Sequence, residues 1–221
     1  MGKRCPERRG RTASLLGALG RGEIRRYDRS MSKKTACVLN GSLRGGTPAD
    51  RAASATVKLL EDRGFGAVVH TLRDLDIAPC LGCFACWVKT PGVCIIDDAG
   101  RDVARSMIRS DLVAYVTPVT FGGYSSELKK AVDRKIPLIL PYFTFVGNEV
   151  HHIRRYPSAP CLLGVGVLET PNVRWEEIFK TLVQRNAINF HSPDAEACFV
   201  RGDEDEDRGR IAAAIGEVTQ A

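Results

Sequence analysis

Short apolar runs alternate five times with stretches of helical spacing, and that alternation leaves few folds open. Ala36–Asn40 (ACVLN) ends in Gly41-Ser42, a strand passing into a loop. Thr47 and Pro48 then open a helix, since proline is tolerated at the first helical position, and Ala49, Ala52, Ala53, Val57 and Leu60 recur at helical spacing until Gly64. Ala67–Leu72 (AVVHTL), Leu112–Thr117 (LVAYVT), Cys161–Leu168 (CLLGVGVL) and Ala197–Val200 are the next strands. Helices are expected over 98–109, Ser126–Arg134, Trp175–Asn186 and Gly209–Val218, with a long irregular insertion over Pro137–Pro160. Strands alternating with helices predict a parallel five-stranded sheet covered on both faces.

A chain of 221 residues suits one such domain, and 44% hydrophobic residues suffice for its core. No run approaches eighteen apolar residues, so no membrane partner is expected. The net charge of +6 lies in the first thirty residues, which hold nine Lys/Arg against three Asp/Glu; the rest is balanced and gives no charge argument for nucleic acid. An RNA or membrane-surface role would therefore rest on the tail alone. Residues 1–32 read as a basic, disordered tail and 33–221 as the folded domain. Met31-Ser-Lys-Lys reads as a natural start, with the tail as a gene-start artefact. The tail has no signal-peptide apolar core, so the eight cysteines are expected in a cytoplasmic setting, where they bind metal or do redox chemistry more often than they form bridges.

In parallel sheets of this kind ligands bind beyond the carboxyl ends of the strands, at the point where strand order reverses. For the order 2-1-3-4-5 that point lies between the first and third strands. The loop after the first, Gly41-Ser42-Leu43-Arg44-Gly45-Gly46-Thr47, offers hydroxyls, a charge and a helix N-terminus, and reads either as an anion site or as an ordinary turn capped by Thr47. It matches neither a Walker loop nor GxGxxG. The loop after the third, Thr117–Ser125 (TPVTFGGYS), mixes flat apolar groups with glycines and suits a planar ring held against backbone amides, or a turn with an aromatic plug.

Cys80, Cys83, Cys86 and Cys94 are spaced C-x2-C-x2-C-x7-C. Two successive short gaps put three thiols on one tight loop, and the fourth returns after Pro91-Gly92. Ferredoxin runs share that start, whereas zinc sites more often use separated pairs. Iron–sulfur cluster, zinc and metal-free thiols or disulfides all stay open. Cys37 and Cys161 read as structural residues of apolar strands, Cys198 as a strand-edge residue and Cys5 as part of the tail. His151 and His152, with Arg154, Arg155 and Tyr156, read as a subunit contact or surface, with a nicotinamide or substrate pocket as the alternative; His70 and His191 read as structural. Trp87 and Tyr124 read as core or interface aromatics, Asp97-Asp98 as a helix cap, and Asp203–Asp207 as a solvated acidic run preceding the last helix. No catalytic Ser/His/Asp set or carboxylate pair can be assembled.

GSLR, PCLGCFACW…GVCIIDD and SDLVAYVTPVTFGGYSSELKKAVDR, in that order, resemble the NAD(P)H-dependent FMN reductase group of flavodoxin-like proteins, and the cysteine motif is similar to that of the iron–sulfur flavoproteins. The likeness spans roughly residues 35–135. It implies an α/β, flavodoxin-like three-layer sandwich binding FMN, with NAD(P)H as co-substrate and a 4Fe–4S cluster on Cys80, Cys83, Cys86 and Cys94. It assigns Ser42, Arg44 and Thr47 to the FMN phosphate and Pro118, Val119, Thr120, Phe121, Gly122 and Gly123 to the isoalloxazine. The loop near Gly164 and Gly166 is assigned to the ring's far edge. Pro48 and Asp50 depart from the family pattern and should weaken phosphate binding: one removes an amide donor, the other adds negative charge. The resemblance further implies a small-molecule or protein electron donor and acceptor, and a homodimer or tetramer. A non-enzymatic electron carrier, and a zinc or thiol-switch module without flavin, are the alternatives.

Overall fold

The computed structural model describes residues 33–220; the tail expected over 1–32, with Cys5, lies outside the described residues. The strands are β1 (Thr35–Asn40), β2 (Gly66–Thr71), β3 (Leu112–Pro118), β4 (Ile139–Val146), β5 (Glu149–Arg154), β6 (Cys161–Val167) and β7 (Ala195–Val200). The helices are α1 (Pro48–Glu61), α2 (Ala85–Val88), α3 (Ala99–Arg109), α4 (Ser126–Asp133), α5 (Val173–Phe190) and α6 (Glu204–Thr219). Five strands form one parallel sheet in the order β2-β1-β3-β6-β7. With the β4–β5 hairpin set aside, this is the 2-1-3-4-5 order, and the fold is flavodoxin-like.

The central strands are apolar on both faces because both faces are covered. Ala36 and Val38 of β1 and Leu112, Ala114 and Val116 of β3 pack with Ala52, Leu60, Ile211 and Ile215 of α1 and α6. Their alternates Cys37, Leu39, Val113 and Tyr115 pack with Met107, Leu128, Phe179 and Val183 of α3, α4 and α5. The two-residue side-chain period thus divides each strand between two separate cores, giving three layers. Among the described residues no helix is long and apolar enough to cross a membrane.

Three expectations are corrected. The insertion over 137–160 is not irregular: β4 and β5 pair antiparallel across the two-residue turn Gly147-Asn148, with Gly147 at φ +59°. Val146-Gly147-Asn148-Glu149 is a hairpin signal in the sequence; Pro141 masks it, and the ladder absorbs that proline at a register shift between Ile139 and Phe143. The last helix begins at Glu204, not Gly209: Asp203 is its N-cap, and the acidic run fills its first turn, where the helix dipole favours negative charge. Helix α5 runs past the expected Trp175–Asn186 at both ends, and its C-cap is His191, in a left-handed conformation.

Candidate functional site

Loops from the carboxyl ends of β1, β3 and β6 line one cavity of about 420 Å³, with Ser42, Arg44, Thr47, Pro118, Val119 and Leu168 in its wall. Two contacts hold the first two loops together. Gly41 N donates to Val116 O (2.7 Å), and Ser125 Oγ donates to Gly41 O (2.6 Å) while capping α4 at Leu128 N. A Cβ on Gly41 would lie 2.8 Å from both Leu128 Cβ and Ser125 Oγ, so only glycine fits. Val119 N donates to Val167 O (2.9 Å), tying in the third loop.

The phosphate contacts implied by the resemblance meet a carboxylate of the chain itself. Thr47 is the N-cap of α1 with Pro48 behind it, as expected, and Asp50 completes a capping box. Asp50 Oδ2 accepts from Thr47 N and Thr47 Oγ1 (3.0 Å each) and from Ser42 Oγ (3.3 Å); Oδ1 accepts from Asn40 Nδ2 (2.8 Å) and Arg73 Nη1 (2.7 Å). Burial alone would raise the carboxyl's pKa, but the donors from Asn40, Thr47 and Arg73 hold it well below the usual carboxylate range. Asn40 and Arg73 were not expected here: the latter comes from the turn after β2, and its pairing is visible only in three dimensions.

The ring contacts divide. Pro118 and Val119 line the cavity. Thr120 and Gly123 exchange backbone hydrogen bonds (3.0 and 2.8 Å) around Phe121 and Gly122, both at positive φ. That turn projects Phe121 outward, 78% exposed, with its ring edge-on to Trp175. Gly164 and Gly166 lie within β6 rather than in the loop after it, and their missing side chains make room for Val183 and for Val119 with Phe199, respectively. Tyr124 is a core aromatic, edge-on to Tyr115 and Phe179.

The cysteine loop leaves the carboxyl end of β2, the strand paired with β1. Gly82 and Phe84 adopt positive φ, which turns the chain into the single-turn helix α2 bearing Cys86. Cys80, Cys83, Cys86 and Cys94 all line one cavity of about 480 Å³, together with Arg134, Lys135 and His152. Burial, then the neighbouring Cys94, Cys80 and Cys83, push the Cys86 thiol up from its ordinary pKa. Among the described residues no three His, Cys, Asp or Glu side chains are already arranged to hold one metal ion. Trp87 stacks on Phe84 and donates from Nε1 to Ile136 O (3.2 Å) and Ile139 O (3.0 Å), seating α2 on the start of the hairpin. His152 packs between Trp87 and Phe143 and so joins this cavity, whereas His151 is buried between Asn189 Oδ1 and Glu149 Oε2 (2.9 Å each). The two adjacent histidines do different things.

Residues 35–139 match the family model of NADPH-dependent FMN reductase. Among curated proteins, an iron–sulfur flavoprotein of Methanosarcina thermophila is 29% identical over 100 residues, 45% of this chain and 51% of that one. An iron–sulfur flavoprotein of Methanocaldococcus jannaschii is 34% identical over 79 residues, 36% and 40% of the two chains. The chain thus matches about half the length of these relatives. Among solved structures, an NAD(P)H:quinone oxidoreductase from Methanothermobacter marburgensis superposes with a TM-score of 0.62 at 12% identity, covering 83% of this chain and 96% of that one. An azoreductase from Bacillus anthracis gives 0.57 at 11% identity, covering 85% and 97%. At such identities these two likenesses are of fold alone. With the matched segment carrying both the β1–α1 and β3–α4 loops, the chain resembles the NADPH-dependent FMN reductases of flavodoxin-like fold and, among curated proteins, the iron–sulfur flavoproteins.

Proposed function

We propose that the protein is an FMN-dependent oxidoreductase that takes reducing equivalents from NAD(P)H, and that Cys80, Cys83, Cys86 and Cys94 carry a 4Fe–4S cluster through which electrons reach a small-molecule or protein acceptor. The observation that carries this reading is the convergence of the β1, β3 and β6 loops on one cavity, with the cysteine loop leaving the adjacent strand at the same end of the sheet. Bound FMN supplies exchange of one or two electrons, and a cluster supplies single-electron steps. The chain does the rest. Ser42, Arg44 and Thr47 bind the phosphate, with Asp50 as an internal competitor for the same hydroxyls. Pro118, Val119 and Leu168 give the ring an apolar seat that excludes water. The donor set of the second cavity suits an iron–sulfur core: four thiols line it, and its one lining carboxylate, Asp133, is paired with Lys129.

One observation favours a second reading, a flavin reductase without a cluster: among the described residues no three of these thiols are arranged to hold one metal ion. The visible spectrum of protein purified anaerobically, before and after dithionite, separates the two. Flavin bands over a broad shoulder that bleaches, with iron and sulfide near four each per chain, support the cluster. Flavin bands alone support the second reading, and a colourless protein after incubation with FMN overturns both. NAD(P)H oxidation by the same sample, with FMN added, distinguishes a reductase from an electron carrier. We assign the protein to a homodimer or tetramer, a reading supported by the exposed Tyr142, Phe143 and Phe145 on the hairpin and tested by sedimentation.

A further inference from the structure

Both stems of the cysteine loop end on one buried ion pair. Arg134, which caps the C-terminus of α4, is 2% exposed. Its Nη1 donates to Ala78 O (2.8 Å) and Asp98 Oδ2 (2.8 Å), and its Nη2 to Ile96 O (3.2 Å) and Asp98 Oδ1 (2.7 Å). Ala78 lies two residues before Cys80, and Ile96 two residues after Cys94. Asp98 Oδ2 also accepts from Ala78 N (2.9 Å), and Oδ1 accepts from Gly100 N (2.9 Å), which caps α3. One guanidinium and one carboxylate therefore join the entry of the loop, its exit and the helix that follows.

This arrangement needs a planar fork. A lysine ammonium is a point donor and cannot span two carbonyls and a bidentate carboxylate together. It also needs Gly100, where a Cβ would stand 3.2 Å from Arg134 Cζ and Nη2. Burying such a pair does little for net stability, so a geometric role accounts for it better than an energetic one. The remaining donor, Nε, is buried with no hydrogen-bond partner. Cys94 lines the same two cavities as Arg134.

We propose that Arg134 is the positioning residue of the cysteine loop: its fork to Asp98 locks the stems at Ala78 and Ile96 so that the four thiols reach one cavity, and its free Nε–H is the donor to the Cys94 sulfur once that sulfur carries metal. The inference rests on the reading of the four cysteines as a ligand set, but not on which metal they hold or on the flavin.

The test titrates the full chain, reduced and anaerobic, with Co2+, reading the thiolate-to-cobalt charge-transfer bands, and titrates the same samples with FMN. Wild type is expected to show the bands. Arg134→Met and the charge-neutral pair Asp98→Asn/Arg134→Met, in which asparagine still caps α3, are expected to lose about ten- to a hundredfold in Co2+ affinity. FMN affinity should stay unchanged. Arg134→Lys keeps the charge without the fork, and is expected to remain weak and to shift the bands. If the methionine variants do not fold, Gly100→Ala presses on Asp98 Oδ1 and on the guanidinium while keeping both charges, and the same loss is expected. Unchanged Co2+ affinity in any folded variant overturns the clamp and leaves the ligand set standing. A parallel loss of FMN and Co2+ affinity means that Arg134 merely supports the fold, and also overturns it. Absence of thiolate bands in wild type overturns the ligand set and the clamp together.

Discussion

Asp50 Oδ2 lies 3.0 Å from both the amide nitrogen and the hydroxyl of Thr47, so the donors expected to hold a phosphate are already turned onto a carboxylate. A bound phosphate must share or displace those contacts and sit beside a negative charge that the Asn40 and Arg73 donors keep ionised. Asp50→Asn removes the charge and keeps a short polar side chain at this position of α1. FMN affinity is expected to rise about fivefold, for roughly 1 kcal/mol of relieved repulsion. Riboflavin, which lacks the phosphate, should bind unchanged. Fluorescence titration of both flavins checks this; weaker FMN binding in the variant would mean that Asp50 organises the loop instead of competing in it.

Gly41 is the point where the β1 and β3 loops touch. An added methyl group would press on Leu128 Cβ, Ser125 Oγ and Val116 O, two of them in buried side chains and one in the backbone of β3. Gly41→Ala is expected to cost about 1–3 kcal/mol in urea unfolding, the usual penalty for overpacking, and to weaken FMN binding because the loops can no longer close on each other. A variant with wild-type stability would show that the contact yields without cost.

The sheet was legible because its central strands are buried on both faces and read as short apolar runs, such as Leu112–Thr117 and Ala36–Asn40, bounded by turn residues. The hairpin was not, because Pro141 argues against a strand and the residues around it alternate too weakly. The start of α6 was misjudged because Asp203–Asp207 carries no apolar period, although its acidic character is what a first helical turn favours. The β1 and β3 loops were legible by spacing. Asp98 was legible only as a cap: its partner Arg134 lies 36 residues further on, and nothing local in AVDR marks a buried arginine. Arg73 and Asn40 around Asp50, and His152 against the cysteine loop, escape for the same reason, since each contact is made between separate elements.

Tyr115 carries a cost that its burial makes visible. It is fully buried in β3, edge-on to Tyr124, and its hydroxyl has no hydrogen-bond partner. The phenol was removed from water without compensation, and burial pushes its pKa well above the ordinary value. Tyr115→Phe keeps the ring contacts and deletes the uncompensated group. It should raise unfolding stability by about 1 kcal/mol, read as a higher urea midpoint at constant slope. A destabilised variant would reveal a partner for the hydroxyl, such as a buried water.

Lys135 links stability to pH beside the cysteine cavity. Its Nζ donates to Asn186 Oδ1 (2.9 Å) and lies 5.1 Å from the Phe190 ring centroid. Desolvation pulls its pKa down to about 7, against the opposing pull of the Asp133 carboxylate. In the unfolded chain this lysine titrates near its ordinary value of about 10.4. Between the two values the unfolded state therefore binds more protons than the folded one, and stability rises with pH across that window. Below pH 7 both states are protonated and the dependence ends. Lys135→Met removes it altogether. Melting temperatures of wild type and variant, measured from pH 7 to 10, should diverge in wild type's favour as pH rises. A constant difference across the range would mean that Lys135 stays charged in the fold, with Asn186 and the Phe190 ring compensating for the lost water.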